Sequence, residues 1–270
     1  MMRTNVLSAR LKSVSSMSAS SMSTLVLTLV FGVALAVPAV SVASEGGKLQ
    51  SAHIDVTNTA SLQRGARNFV NYCMGCHSAR YVRYNRLGAD LGLSEAQVIQ
   101  NLMFAGDRPS DTMKIAMRAD DAKRWFGTTP PDLSLIARAR GADYLYSFLK
   151  SFYLDPSRPN GVNNLVMPST AMPHVLWELQ GYQKAVYEGE SDAAHGAVHK
   201  TFKEFELADK GKLGPAEYDQ FVRDTVNFLA YVGEPMQNER RNLGMRVLVF
   251  LFVFFLFAYF LKKEYWKDVK

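Results

Sequence analysis

The sequence predicts an all-α domain with long loops and one C-terminal transmembrane helix. Three observations lead there. Apolar residues recur at helical spacing in four stretches of the middle of the chain. No stretch alternates apolar and polar residues for long enough to make a strand. Residues 243–261, LGMRVLVFLFVFFLFAYFL, form an apolar run interrupted by a single charge, Arg246.

Taken in chain order, Ser61 is placed to cap a first helix in which Leu62, Ala66, Phe69, Val70 and Cys73 share one face. Ser94 and Gln97 form a capping box ahead of Val98 and Leu102, and Gly106 is the expected stop. Between Gly141 and Asp155 the residues Tyr144, Leu145, Phe148, Leu149 and Phe152 repeat with helical period, ending before Pro156. The fullest pattern begins at Pro215 and carries Tyr218, Phe221, Val222, Thr225, Phe228, Leu229 and Val232 on one stripe before Gly233 and Pro235 close it. Asp155 to Asn164 has loop composition. Residues 181–196 are polar and locally acidic at Glu188, Glu190 and Asp192, the composition of an exposed insertion. No internal repeat is present.

The apolar run at 243–261 extends about 28 Å at ~1.5 Å per residue, close to a hydrocarbon core of ~30 Å. Arg246 lies near one end, where its long side chain reaches the interface, while Tyr259, Tyr265 and Trp266 belong to an aromatic belt at the other. A lipid bilayer is therefore one expected partner. At the opposite end of the chain, no acid precedes Glu45. A basic, Ser-rich stretch leads into the apolar run Leu25–Val37 and then the small residues Ser41 and Ala43. That is the layout of a cleaved secretory signal. The expected organisation is a signal peptide at 1–43, a domain outside the cytoplasmic membrane at 44–242, a transmembrane helix at 243–261 and a cytoplasmic tail at 262–270.

The formal net charge of +6 belongs to the ends. Residues 1–43 carry +3, residues 243–270 carry +3, and the domain between them is neutral. Phosphate-backbone recognition needs a basic stripe, so nucleic acid is excluded as a partner.

The chain has two cysteines, both in Cys73-Met74-Gly75-Cys76-His77, the C-x-x-C-H pattern of covalent haem attachment. Two thiols three positions apart on one helical turn can each add to a vinyl group of the same porphyrin, and the following imidazole then faces the iron. A redox-active thiol pair expects a βαβ setting and gives His77 no task. A zinc site lacks a second ligand pair: His195 and His199 stand far away in the polar insertion and read as solvated surface residues. The domain is thus expected to be of the c-type cytochrome kind, binding one haem c. A thioether as the second axial ligand would suit an electron carrier. Candidates are Met103, Met113, Met117, Met167 and Met172; the last two are each followed by proline in a loop, and spacing does not choose between them.

These residues resemble the cytochrome c1 family, the haem subunit of the cytochrome bc1 complex, ubiquinol:cytochrome c oxidoreductase. Similarity covers Tyr72-CMGCHSARYVR-Tyr84, Pro130-Pro131-Asp132-Leu133-Ser134 with Ala139-Arg140, Ala171-Met172-Pro173-His174-Val175-Leu176, and Gly233-Glu234-Pro235 before the C-terminal helix and its KKEYWK tail. The resemblance implies thioethers at Cys73 and Cys76, axial ligands His77 and Met172, Arg140 near a haem propionate, and Pro130, Pro131 and Tyr144 in the pocket. His174 stands where relatives continue a proline run.

On that resemblance the chain relays single electrons from a Rieske iron–sulfur protein to a c-type cytochrome beside a cytochrome b subunit. It makes and breaks no bonds of its own. A bacterial inner membrane with the domain in the periplasm is the expected setting. Two rivals are a stand-alone membrane-anchored cytochrome c shuttle and a haem sensor with an open sixth position.

Overall fold

The computed structural model describes residues 49–191 and 198–268. Residues 1–43 lie outside the described residues, as do Asp192 and His195 and the side chains of Glu190 and His199.

Helix α1 (Thr59–Asn68) opens the domain and passes directly into a π-helical turn, Phe69–Cys73. A short strand β1 (Ala79–Arg83), α2 (Tyr84–Leu91), α3 (Glu95–Asn101), β2 (Thr112–Met113) and α4 (Ala119–Phe126) follow. Next come α5 (Ile136–Arg140), α6 (Ala142–Lys150), β3 (Phe152–Leu154) and β4 (Val162–Asn164). The chain then runs through α7 (Trp177–Gln180), a hairpin of β5 (Gly181–Ser191) and β6 (Val198–Lys210), α8 (Pro215–Gly233) and α9 (Gln237–Tyr265).

The capping box at Ser94 is present in full, with Ser94 Oγ accepting from Gln97 N–H and Gln97 Oε1 from Ser94 N–H. The Pro215–Gly233 helix has the bounds its start and stop signals predict. Ser61 has a different task from the one expected. Asn58 caps α1, its side chain accepting from Ser61 N–H at 3.1 Å, while the Ser61 hydroxyl donates to the buried Asp224 at 2.6 Å. Helix α3 ends at Asn101, before Gly106, where Met103 N–H turns back onto the Val98 carbonyl.

The all-α expectation needs correction. The domain is mainly helical, yet three antiparallel strand pairs join β1 to β2, β3 to β4 and β5 to β6. Phe152, read as the last turn of a helix, starts β3. The stretch read as an exposed insertion is half of a long hairpin. Two register shifts, opposite Tyr182/Gln183 and Val186/Tyr187, leave Ala208 and Lys203 as extra residues in β6. Each reverses the side-chain parity of β6, so its period-2 alternation survives only in short pieces, while β5 carries few apolar residues to alternate.

The core forms where α1 lies across α8. Leu62, Ala66 and Phe69 bury against Val222, Val226 and Phe228, and the Phe69 and Phe228 rings sit 5.6 Å apart. Gly65 permits the crossing: a Cβ there would collide with the Asp224 carbonyl and come within 2.6 Å of Phe228 Cβ. Asp224 is 2 % exposed and fully partnered, by Ser61, by Arg64 through Nε (2.6 Å) and Nη2 (2.9 Å), and by Gln220 (2.9 Å). A buried carboxylate costs stability unless paired in this way.

Helix α9 is the one described helix long and apolar enough to cross a membrane. Its 29 residues extend about 43 Å, longer than the apolar run alone, because the polar flanks continue the helix at both ends. At its base Tyr231 Oη and Arg86 both bond Asp90 (2.7 and 2.8 Å), and Arg240 pairs with Glu234 at 2.6 Å.

Candidate haem site

The π turn ends at Cys73 and delivers the attachment loop. Met74 N–H bonds the Phe69 carbonyl at 2.9 Å, an i to i+5 closure, and the chain then tightens as Cys76 N–H and His77 N–H both bond the Cys73 carbonyl (3.1 and 2.9 Å). Single π turns inside helices mark functional positions often enough to be noticed. Both thiols are free. Burial, and then the neighbouring Cys76, push the Cys73 thiol up to about 12. A disulfide-exchange pair needs the reverse, a depressed thiol, so the redox-thiol reading is disfavoured.

The loop is fastened to the segment 130–134, which the sequence singled out some fifty residues downstream. Leu133 N–H bonds the Ser78 carbonyl (2.8 Å), Arg80 N–H bonds Asp132 Oδ2 (3.0 Å) and Tyr81 N–H bonds Ser134 Oγ (3.1 Å). Burial raises the Asp132 carboxyl, but hydrogen bonds from Ser134 and Arg80 outweigh it and hold the group below its usual range. His77 Nδ1 lies 2.7 Å from the Pro131 carbonyl. A carbonyl only accepts, so Nδ1 carries the proton and Nε2 keeps a lone pair. Burial pushes the imidazole pKa down, with the Pro131 carbonyl opposing, which keeps the ring neutral near pH 7. A neutral imidazole with Nε2 free and Nδ1 tethered is the donor a haem iron requires, and the residues present fit the group.

The apolar side chains available to a porphyrin fit as well. Leu133, Ile136, Tyr144, Phe148, Met172 and Val175 pack on the core yet stay partly open. The exposed Arg140 guanidinium lies 5.5 Å over the Tyr144 ring, so these two predicted residues meet. Pro130 and Pro131 flank the loop that holds His77.

The methionine candidates separate. Met167 is 45 % exposed, held outward as its N–H and that of Val166 both bond Asn164 Oδ1. Met113 is fully buried in β2. Met103 packs on the core near Gly106. Met117 lines a small cavity with Ser78, Pro130 and Asp132. Met172 is half-buried against the core and its N–H bonds Thr170 Oγ1 at 3.3 Å.

Sequence reasoning missed the role of His174. It is 5 % exposed with neither ring nitrogen in a well-formed hydrogen bond, and burial pushes its pKa down to about 4 against a weaker opposing contact with the Gly181 backbone, so it is neutral. It belongs to an aromatic series: Tyr144 stacks on Phe148 (6.3 Å, 6°), Phe148 meets Phe152 edge-on (5.2 Å), and Phe152 stacks on His174 (5.1 Å, 5°).

The attachment loop, tethered imidazole and half-open apolar wall define a haem-bearing electron-transfer domain, here joined to one long apolar helix. The family model of the cytochrome c1 family matches residues 101–269. Cytochrome c1 of Allochromatium vinosum is 52% identical over 236 residues, 87% of this chain and 96% of that protein. An alignment that long in a 270-residue chain necessarily includes Cys73 to His77. The ammonia monooxygenase gamma subunit of Nitrosomonas europaea is 46% identical over 82% of this chain and 89% of that protein. Cytochrome c1 of Rhodospirillum rubrum is 28% identical over 77% and 82%. The chain belongs to the cytochrome c1 family.

Proposed function

We propose that this chain is the haem c subunit of a bacterial ubiquinol:cytochrome c oxidoreductase, taking single electrons from a Rieske iron–sulfur protein and passing them to a c-type cytochrome, with cytochrome b as its membrane neighbour. The observation that carries the reading is the 2.7 Å bond from His77 Nδ1 to the Pro131 carbonyl, which leaves Nε2 for iron. The relatives cytochrome c1 of Allochromatium vinosum and cytochrome b/c1 of Bradyrhizobium diazoefficiens support the assembly.

In this reading Cys73 and Cys76 would hold haem through two thioethers, His77 and Met172 would ligate its iron, and Arg140 would neutralise a propionate. Bound there, haem supplies a one-electron ferric/ferrous couple. The protein's share is orientation and tuning. Pro131 fixes the imidazole, and the thioether of Met172 would favour ferrous iron and raise the potential. The partly buried side chains of Leu133, Ile136, Phe148 and Val175 would shield the group from water. Residues 1–43 are removed as a signal peptide, the domain faces the periplasm and residues 243–261 span the inner membrane.

Reduced-minus-oxidised and pyridine haemochrome spectra of the detergent-extracted protein test this. One c-type haem, with a weak red-edge sulfur band that Met172→Leu abolishes together with a large fall in potential, is the expected result. Absence of covalent haem, or a Met172→Leu variant indistinguishable from wild type, overturns the assignment.

A further inference from the structure

Met172 sits in a loop with no regular structure between β4 and α7. Ahead of the methionine the backbone is tied to the β3–β4 unit, with Val166 and Met167 N–H on Asn164 Oδ1 (2.9 and 3.0 Å), Ser169 N–H on Asn163 Oδ1 (2.8 Å) and Arg158 on the Ser169 carbonyl (3.2 Å). On the other side of the methionine, ring contacts fix the loop, and they come two residues on. The His174 ring lies flat on Phe152 of β3, with centroids 5.1 Å apart and planes 5° from parallel. Its edge meets the Tyr182 ring of β5 at 6.3 Å and 77°. Tyr182 is itself stacked on Trp177, 5.7 Å and 12°, on the α7 side of the same loop. The loop therefore grips the base of the β5–β6 hairpin through two rings.

This is an unusual place for a histidine. Both ring nitrogens are buried and neither meets a hydrogen-bond partner at good geometry, the backbone of Gly181 at the start of β5 being the polar group that acts on the ring. Burying unpaired nitrogens costs stability, and what remains to favour the residue is its flat face. We infer that His174 is a positioning residue for the sixth ligand, its ring clamped between Phe152 and Tyr182 so that Met172 is held facing the haem from the base of the hairpin. The inference rests on Met172 being that ligand. It also gives the hairpin a task, since β5 supplies one jaw of the clamp.

The test compares wild type, Met172→Leu, His174→Ala, His174→Phe and Tyr182→Ala as full-length, detergent-extracted holoprotein, using the red-edge sulfur band, the rate of CO binding to the ferrous form, and far-UV circular dichroism as the check on folding. Loss of two ring contacts in His174→Ala shifts the balance toward detached methionine by about tenfold, with CO binding faster by a similar factor. His174→Phe keeps the plate on Phe152 and removes the unpaired nitrogens, so the band and the slow CO reaction persist. Tyr182→Ala, with His174 untouched, moves both signals in the same direction as His174→Ala and by less, which keeps the inference testable if His174→Ala does not fold. Wild-type band and CO kinetics in His174→Ala or in Tyr182→Ala, or equal losses in His174→Phe and His174→Ala, overturn the inference while leaving Met172 as ligand. A wild type without the band, or a band surviving Met172→Leu, removes the ligand assignment and the inference together.

Discussion

His77 Nδ1 and the carbonyl oxygen of Pro131, 54 residues apart in sequence, are 2.7 Å apart in the fold. A carbonyl oxygen only accepts, so Nδ1 is the donor and the tautomer of the neutral His77 ring follows from backbone chemistry alone. The neighbouring bonds from Leu133 to Ser78 and from Arg80 to Asp132 make the attachment loop and the 130–134 segment one unit. Cysteine substitutions should then alter the covalent link without releasing the imidazole. Cys76→Ser is expected to retain haem through Cys73 alone, with the pyridine haemochrome band moved to longer wavelength toward that of a haem with one free vinyl. A wild-type band position in that variant would show that Cys76 carries no thioether.

Gly65→Ala is expected to be among the costliest single substitutions outside the haem site. The new Cβ collides with the Asp224 carbonyl and comes within 2.6 Å of Phe228 Cβ, and neither belongs to a flexible side-chain end that can swing away. Overpacking of this kind costs roughly 3 kcal/mol, a fall in melting temperature of about 6–12 °C for a domain of this size. Thermal unfolding followed by circular dichroism measures it, and a change under about 2 °C would mean that α1 and α8 can separate at little cost.

Asp219 gives a pH dependence whose sign is fixed. Burial raises its carboxyl, but hydrogen bonds from Lys150, Tyr146 and Arg223 outweigh burial and hold it well below its ordinary value of 3.8. A lowered carboxylate contributes stability above the unfolded value and loses it as pH falls through the folded one. The contribution is complete at neutral pH, begins to fall near pH 4 and keeps falling below it. Asp219→Asn should cost about 1–2 kcal/mol at pH 7, at the lower end of charged hydrogen bonds because the side chain is 28% exposed. The difference from wild type should narrow toward pH 3. Denaturant midpoints at the two pH values decide it.

How much of this was legible in the sequence depended on how local each signal was. The capping box at Ser94 and the Pro215–Gly233 helix carry their own start and stop chemistry, and both were found. The C-x-x-C-H motif is legible because it needs only five consecutive residues. Asn58 was missed as a cap because Ser61, an equally good candidate by type, is engaged by Asp224, 163 residues away. The hairpin was missed because the extra residues Lys203 and Ala208 break the alternation of β6, and β5 is too polar to show one. His174 was missed for a similar reason: its neighbours Phe152 and Tyr182 come from two different strands, and nothing within the loop announces them.

The hairpin also changes what the acidic residues can do. Glu188 is no isolated charge, since Lys203 on the facing strand lies 2.5 Å from its carboxylate, with both side chains at least half exposed. Such a pair presents little net field to an approaching protein and contributes under about 1 kcal/mol to stability. Glu188→Gln should change the bimolecular rate with a basic cytochrome by less than about twofold at low salt. A several-fold drop that vanishes at high salt would make the hairpin a steering element.

The C-terminal helix supports a stricter test of how the molecule is divided. Over the apolar window of α9 no side chain is buried against the rest of the chain, so the helix contributes nothing to the domain's core. The contacts that fix its base, Tyr231 and Arg86 on Asp90 and Arg240 on Glu234, all involve residues at or before Arg240. Ending the chain after Arg241 should therefore release a soluble domain with an unchanged haem spectrum and an unchanged melting temperature. Membrane association should be lost completely, because the apolar length of about 28 Å that matches the bilayer lies entirely beyond the cut. Fractionation after ultracentrifugation, with the haem spectrum recorded on the supernatant, gives the answer. A truncated domain that stays with the membrane would place a second bilayer contact on the domain itself, and one that loses its haem spectrum would mean that α9 supports the attachment site through contacts not made by its side chains in the isolated chain.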